Sequence, residues 1–279
     1  MKIGVNTLIW SVAYDESVRS QLPLIAEAGF DGIEVPLLRT GDFPASQIRK
    51  DAASHGLDCT ICAVLVKGLS LISDDAGVRA NSRRHVEDAI KCAADTGAKL
   101  IAGPLYCPVG YLPGRRRTQD EWNWALDAYQ AFTPTLEAND MTLAIEPLNR
   151  FETFFLNTAC DAARMCDQIA HPRIGILFDT FHANIEEKDI AAGLQVAGRH
   201  LKHVHISEND RGTPGSGHVA WDRVFQALRE LDYNGWLTIE SFAFAIPEIS
   251  AAASIWRDIE RTPGQIAYEG VKFLKAQTA

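Results

Sequence analysis

The sequence feature that most constrains the fold is a series of eight short apolar segments. Each is rich in Val, Ile and Leu and is too short for a helix of ordinary length, so each predicts a buried β-strand. The segments between them are longer and amphipathic, as residues 83–96 illustrate with Val86, Ala89 and Ile90 on one helical face. The predicted strands cover residues 2–8, 32–37, 58–64, 99–105, 141–147, 174–180, 201–207 and 236–242.

The alternation of strands and helices predicts parallel strands joined by right-handed crossovers. Eight such units are the number that closes a (β/α)₈ barrel, with the whole chain, residues 1–279, as one α/β domain. An open doubly wound sheet is the alternative. Such sheets often carry a G-x-G-x-x-G turn after the first strand, and this motif does not follow residues 2–8.

Composition argues against two classes of partner. The net charge of −9 predicts an acidic surface, which disfavours nucleic acid and anionic membranes. Apolar stretches fall short of the ~20 residues that cross a bilayer, and residues 1–4 do not resemble a secretory leader. Cys59 and Cys62 lie along one predicted strand, so they predict buried thiols rather than a zinc or redox pair. We therefore expect a cytoplasmic protein.

Ionisable residues stand at the ends of four consecutive predicted strands: Glu146, Asp179, His205 and Glu240. A single carboxylate at a strand end is usually a helix cap, but four in succession at one rim of a barrel favour a site. Three carboxylates packed together repel one another unless a cation lies between them. Three oxygens and one imidazole nitrogen suit a divalent ion, Mn²⁺ more than Zn²⁺.

Further candidates follow these strand ends. His182 and Arg211 each lie a few residues beyond a proposed ligand, whereas Arg150 could be a surface ion-pair partner. His203 precedes His205 by two residues on the same strand face, one pleat deeper. We therefore interpret His203 as a core histidine or a partner of the ligands, not as a ligand.

The motifs around these residues resemble those of the D-tagatose 3-epimerase and D-allulose (psicose) 3-epimerase family. Residues 146–152 read E-P-L-N-R-F-E, residues 179–187 read D-T-F-H-A-N-I-E-E, and His203-Val204-His205 is followed by Glu208, Arg211 and P-G-S-G. The resemblance implies a xylose-isomerase-like TIM barrel that binds Mn²⁺ or Co²⁺ and forms a homodimer or homotetramer. It implies Glu146, Asp179, His205 and Glu240 as metal ligands, and Glu152, His182 and Arg211 as substrate contacts.

The chain departs from the family pattern where the far end of a sugar would be held. Strand 1 reads N-T-L-I-W from Asn6 to Trp10, where the family has more aromatic residues before the tryptophan, and the end of strand 3, Cys62-Ala63-Val64, also differs. We expect Asn6 and Cys62 to contact substrate, and Trp10 to form an apolar wall or simply to pack in the core. Asp210 and Ser241 also replace the asparagine and proline that are usual in the family.

These features predict a metal-dependent ketose 3-epimerase, an isomerase that acts through a cis-enediolate. Glu146 and Glu240 would bracket the substrate as base and acid. The only glycine-rich candidate for a phosphate cradle is residues 214–217, which favours an unphosphorylated ketose. Three alternatives are an aldose–ketose or hydroxypyruvate-type isomerase, a metal-dependent phosphodiesterase and a silent sugar-binding barrel. The phosphodiesterase would need a more His-rich centre and a basic face.

Overall fold

The computed structural model describes residues 1–242 and 247–278 and contains a closed barrel of eight parallel strands, β1 to β8, in sequence order. The barrel closes where β1 pairs with β8, with Lys2 opposite Trp236. The predicted (β/α)₈ fold is therefore confirmed. The strands are β1 Lys2–Asn6, β2 Gly32–Leu37, β3 Asp58–Ala63, β4 Leu100–Gly103, β5 Thr142–Ile145, β6 Ile174–Asp179, β7 Leu201–Ile206 and β8 Trp236–Ile239.

Helices cover the outside of the barrel in the crossovers. The predicted helix at residues 83–96 begins earlier, at Ala76, because the Asp75 side chain accepts hydrogen bonds from the first free N–H groups and caps it. Described helices do not reach the length and apolarity that crossing a bilayer requires. The α-helices are α1 Glu16–Arg19, α2 Leu22–Ala28, α3 Ala45–Ser54, α4 Ala76–Asp95, α5 Gln119–Ala138, α6 Ala159–Ile169, α7 Thr180–Glu186, α8 Ile190–Ala197, α9 Trp221–Glu230, α10 Pro247–Ala252 and α11 Pro263–Thr278.

The interior of the barrel has an apolar side and a polar side. On β4 to β6 the interior is filled by small and aliphatic side chains, against which Trp236 packs: Leu100, Ala102, Ala144 and Leu177. On the remaining strands a set of fully buried polar side chains lies inside: Asn6, Glu34, Thr60, His203, His205 and Thr238. Gly4 and Gly32 leave room for Trp236, since a Cβ on Gly32 would lie 2.7 Å from that ring.

Candidate functional site

The four strand-end residues come together at one rim of the barrel. Glu146 and Glu240 directly follow β5 and β8, Asp179 ends β6, and His205 lies within β7. Each offers a ligand atom, and these four atoms all lie within 4.8 Å of one another. All four residues are buried, with at most 4% of their surface exposed. The structure thus brings together the residues that the sequence motifs predict as a metal site.

Negative charge exceeds positive charge in this cluster. Burial, together with the charge of Glu240, raises the pKa of the Glu146 carboxyl well above its ordinary value. Burial acts in the same sense on Asp179, but the Arg211 guanidinium outweighs it and holds the pKa of Asp179 below its usual range. Arg211 donates from one nitrogen to Asp179 Oδ2 at 2.7 Å and to Glu240 Oε2 at 2.9 Å. A further cation would relieve the repulsion that remains.

His205 fits a metal centre because one of its ring nitrogens makes no hydrogen bond to the residues that the structure describes. Its Nδ1 is buried without a hydrogen bond and lies 3.3 Å from Glu240 Oε1 and 3.9 Å from Glu146 Oε1. Its Nε2 lies 2.7 Å from Glu34 Oε1. Three carboxylates and a free imidazole nitrogen form a donor set that a divalent cation accepts. The residues present therefore fit a divalent metal ion.

Arg211 is held in an unusual backbone conformation and between two aromatic rings. Its φ is 65°, in the left-handed region that non-glycine residues seldom adopt. The Ser241 hydroxyl donates to the Arg211 carbonyl at 2.5 Å and fixes this conformation. The guanidinium carbon lies 4.0 Å from the centre of the Phe181 ring and 4.9 Å from that of Phe242. Ser241, one of the departures from the family pattern, thus orients a residue of the site.

Asp210, another departure from the family pattern, also has a structural role, in the loop after β7. Asp210 accepts a hydrogen bond from the backbone N–H of Gly212 at 3.0 Å. Its second oxygen accepts from Arg257 at 3.1 Å, which links the loop after β7 to the segment before α11. The loop is further organised by Glu208, which is fully buried and accepts from the Trp221 indole at 2.8 Å.

His182 faces the site between Asn149 and Arg211. Its Nδ1 accepts from the backbone N–H of Asn149 at 3.2 Å, and its Nε2 lies 3.2 Å from the Nη2 atom of Arg211, a group that can only donate. Burial lowers the pKa of His182 to about 4, so the neutral form dominates near neutral pH. The Nε2 atom lies 3.7 Å from both Glu146 Oε1 and Asp179 Oδ2.

A cavity of about 270 Å³ opens above the four residues. Its polar lining comes from the segments that follow β5 to β8: Glu146, Glu152, His182, Arg211 and Glu240. The lining from the ends of β1 to β4 and the segments that follow them is apolar apart from one thiol: Leu8, Val12, Leu38, Cys62, Val64, Pro104 and Val109. Leu148, Phe242 and Ala253 complete it. The cavity therefore has one polar and one apolar half.

The predicted contacts Asn6, Cys62 and Trp10 lie in three different places. Cys62 lines the cavity. Asn6 is fully buried below it, where its Nδ2 lies 3.0 Å from Glu34 Oε1 and 3.4 Å from Glu240 Oε1. Trp10 packs against Tyr268 in a separate groove, with 6.3 Å between ring centres. The expectation that Trp10 forms an apolar wall of the cavity is therefore corrected. Leu8 and Val12 form this wall, because a 3₁₀ turn at Thr7–Ile9 separates Trp10 from the cavity.

Two residues of the wider site behave differently from the ligands. Arg150 pairs on the surface with Glu186, with Nε 2.8 Å from Oε1, as the surface interpretation anticipates. His203 lies beneath the cluster, where its Nε2 is 2.7 Å from Glu34 Oε2. Sequence reasoning missed Glu34 itself. The available signal was a single carboxylate in the middle of the otherwise apolar segment G-I-E-V-P-L.

Comparison with known proteins relates almost the whole chain to one group of enzymes. The profile of the xylose isomerase-like TIM barrels matches residues 22–277. A Synechocystis sp. protein named a probable ketose 3-epimerase is 36% identical over 275 residues, covering 99% of this chain and 96% of that protein. The D-psicose 3-epimerase of Ruminiclostridium cellulolyticum is 28% identical, with 93% and 90% covered. The D-allulose 3-epimerase of Methylomonas sp., solved with D-allulose, superposes with a TM-score of 0.94 at 27% identity, over 99% and 97% of the two chains.

Proposed function

The chain belongs to the family of xylose isomerase-like TIM barrels, and we propose that it is a divalent-metal-dependent ketose 3-epimerase. It interconverts C3 epimers of free ketohexoses or ketopentoses by removing and returning a proton. The observation that carries the proposal is the convergence of Glu146, Asp179, His205 and Glu240. Its relatives named as ketose 3-epimerases support the choice of reaction.

Two carboxylates can perform the proton transfers. The proton on a carbon beside a carbonyl is weakly acidic, and its removal leaves an enediolate whose charge must be stabilised. When bound, a divalent cation supplies this stabilisation as a Lewis acid. Glu146 and Glu240 reach the cavity from β5 and β8, so one can remove the C3 proton while the other returns a proton to the opposite face. The roles exchange for the reverse substrate.

Hydrogen-bonding residues orient the sugar beside these carboxylates. His182 and the Arg211 guanidinium hydrogen-bond the O1–O2 end, where charge develops in the enediolate. Glu152 accepts from a hydroxyl further along the chain, and its own carboxylate is held by Asn149 Nδ2 at 2.8 Å. Cys62 contacts the substrate from the apolar half of the cavity.

The preferred substrate is an unphosphorylated ketose. Among the cavity-lining residues that the structure describes, Arg211 is the one arginine or lysine, and its guanidinium already bonds Asp179 and Glu240. A phosphate dianion would add charge beside buried carboxylates without a cation to pair with. Mn²⁺ is the proposed ion, with Co²⁺ and Mg²⁺ as alternatives, because these ions accept carboxylate and imidazole ligands together.

We further propose that the protein forms a homodimer or homotetramer and acts in the cytoplasm. Exposed apolar side chains gather on the loops after β4 and β5, which meet where Gly110 N–H donates to the Glu152 carbonyl at 2.7 Å. The exposed fractions are 49% for Tyr111, 48% for Leu112 and 70% for Phe151. Such a patch is typical of a surface that another subunit covers. Light scattering after size exclusion is expected to give two or four chains per particle, and a monomer would contradict the assembly.

The reaction is tested by incubating the protein and Mn²⁺ with ketopentoses and ketohexoses in D₂O and resolving the products. We expect at least one C3 epimer, with deuterium at C3 when the accepting carboxylate exchanges with solvent. Formation of an aldose without a C3 epimer would instead identify the aldose–ketose isomerase. Glu240→Gln serves as the control, because it removes one proton carrier while keeping the size of the side chain.

A further inference from the structure

A buried carboxylate, Glu34, lies inside the barrel directly beneath the four candidate metal ligands. It is fully buried and comes from β2, across the barrel from the two histidines of β7. Its Oε1 lies 2.7 Å from His205 Nε2, and its Oε2 lies 2.7 Å from His203 Nε2. Because β2 and β7 are not neighbouring strands, these two contacts span the interior of the barrel.

Each oxygen of Glu34 accepts a second hydrogen bond. Asn6 Nδ2 donates to Oε1 at 3.0 Å, and Thr60 Oγ1 donates to Oε2 at 3.0 Å. The orientation of the Asn6 amide is fixed independently, because its Oδ1 accepts from the backbone N–H of Leu8 at 3.0 Å. Asn6 Nδ2 also approaches Glu240 Oε1, at 3.4 Å, so the same network reaches a second ligand.

This arrangement determines which nitrogen of His205 is free. An ionised carboxylate only accepts hydrogen bonds, so both imidazoles must present an N–H to Glu34 from Nε2. The neutral ring of His205 then carries its lone pair on Nδ1. Within the described part of the chain that atom makes no hydrogen bond, and it faces Glu146 and Glu240. Glu34 thus selects the ring orientation and tautomer in which His205 can coordinate a cation.

We propose that Glu34 is a positioning residue that prepares His205 for metal binding and is not itself a ligand. The proposal rests on the cation site of the proposed function but is independent of the substrate. A second cation between Glu34, His203 and His205 is the competing arrangement, since these three also lie close together. It would require both Nε2 atoms to turn a lone pair toward the cation, and the two hydrogen bonds from the histidines to Glu34 would then be lost.

The test compares two variants by their affinity for Mn²⁺, measured on metal-free protein by competition with a fluorescent chelator. Glu34→Gln removes the charge while keeping the shape, and we expect the dissociation constant to rise about 10- to 100-fold. Thr60→Val is the matched control, because it removes one donor to Glu34 but leaves the bond to His205. Its affinity should stay close to that of the wild type. Equal affinity in Glu34→Gln and the wild type, or two Mn²⁺ per wild-type chain, would overturn the proposal.

A second measurement needs no variant and therefore does not depend on folding of the substituted protein. In the Mg²⁺-loaded wild type labelled with ¹⁵N-histidine, the Nε2 resonances of His203 and His205 should both show a bound proton. A proton on Nδ1 of His205 would contradict the role of Glu34. Glu34→Asp, which keeps the charge on a shorter side chain, should recover part of the affinity. Absence of ketose turnover in the wild type would sink the proposed function but leave these binding differences unchanged.

Discussion

The two halves of the cavity differ in chemistry although the same barrel builds both. Loops after β5 to β8 contribute the carboxylates, His182 and Arg211, whereas loops after β1 to β4 contribute aliphatic side chains such as Leu38 and Val64. Hydrogen bonds depend on direction, but apolar contacts depend mainly on the area removed from water. The polar half should therefore control the reacting carbons, and the apolar half should control how well the rest of the sugar fits.

The layer beneath the cavity shows a related asymmetry. The buried polar side chains Glu34, His203 and His205 connect β2 with β7, while the interior along β4 to β6 is filled by residues such as Ala102 and Leu177. A buried polar network holds its members in place only if each has partners. This network thus contacts the ligands His205 and Glu240, whereas Glu146 and Asp179 come from strands whose interior is apolar.

The largest expected effect comes from the polar half. Glu146→Gln keeps the side chain's size but removes a proton acceptor and one ligand charge. We expect kcat to fall by about 10³-fold or more, since general acid–base catalysis alone contributes about 10²- to 10⁴-fold. Turnover with the best ketose, beside a melting curve to verify folding, is the measurement. Residual activity above a tenth of the wild type would show that the chemistry lies elsewhere.

Removing the metal should separate catalysis from folding. A chelator is expected to abolish turnover and to lower the thermal midpoint, whereas restoring Mn²⁺ should recover both. At about 100 times its dissociation constant a ligand stabilises by about 2.7 kcal/mol, which corresponds to a shift of about 5 °C or more. Differential scanning fluorimetry with and without Mn²⁺ measures this shift. Full activity in the presence of excess chelator would show that catalysis in the polar half does not depend on a metal.

Within the polar half, Ser241 tests how strictly Arg211 must be held. Ser241→Ala removes the hydroxyl that donates to the Arg211 carbonyl. A single hydrogen bond contributes about 0.5–1.5 kcal/mol, so kcat/KM should fall about two- to tenfold. Thr133→Ala is the matched control. It removes a comparable hydrogen bond, from the Thr133 hydroxyl to the Gln130 carbonyl within α5, and Thr133 does not line the cavity, so kcat/KM should stay unchanged. Equal losses in the two variants would mean that Ser241 acts only on stability.

The smallest effect on the chemical step should come from the apolar half. Leu38→Ala removes apolar contact area without touching a polar group of the site. We expect KM to rise by about three- to tenfold with kcat nearly unchanged, as apolar burial contributes about 25 cal/mol per Å². The ratio of ketopentose to ketohexose turnover should also change. A fall in kcat as large as that of Glu146→Gln would remove the functional distinction between the halves.

Much of this protein could be predicted from residue order. Eight apolar segments of strand length predict the closed barrel, and the four ionisable residues at consecutive strand ends predict the rim where they converge. Both inferences depend on local rules: strand length, alternation with helices, and the position of polar residues at the ends of parallel strands. The resemblance to ketose 3-epimerases, carried by motifs between residues 146 and 217, is confirmed by the related proteins.

What the sequence by itself determined was the barrel and the residues at its rim, because periodicity and strand ends are properties of neighbouring residues. Only the tertiary structure decided the role of Glu34 and the location of Trp10. Glu34 meets His205 across 171 positions of sequence, and only closure of the barrel brings β2 opposite β7. Trp10 is directed away from the cavity by a single turn at Thr7–Ile9. Contacts across a closed interior depend on how distant strands face one another, and local pattern does not specify that geometry.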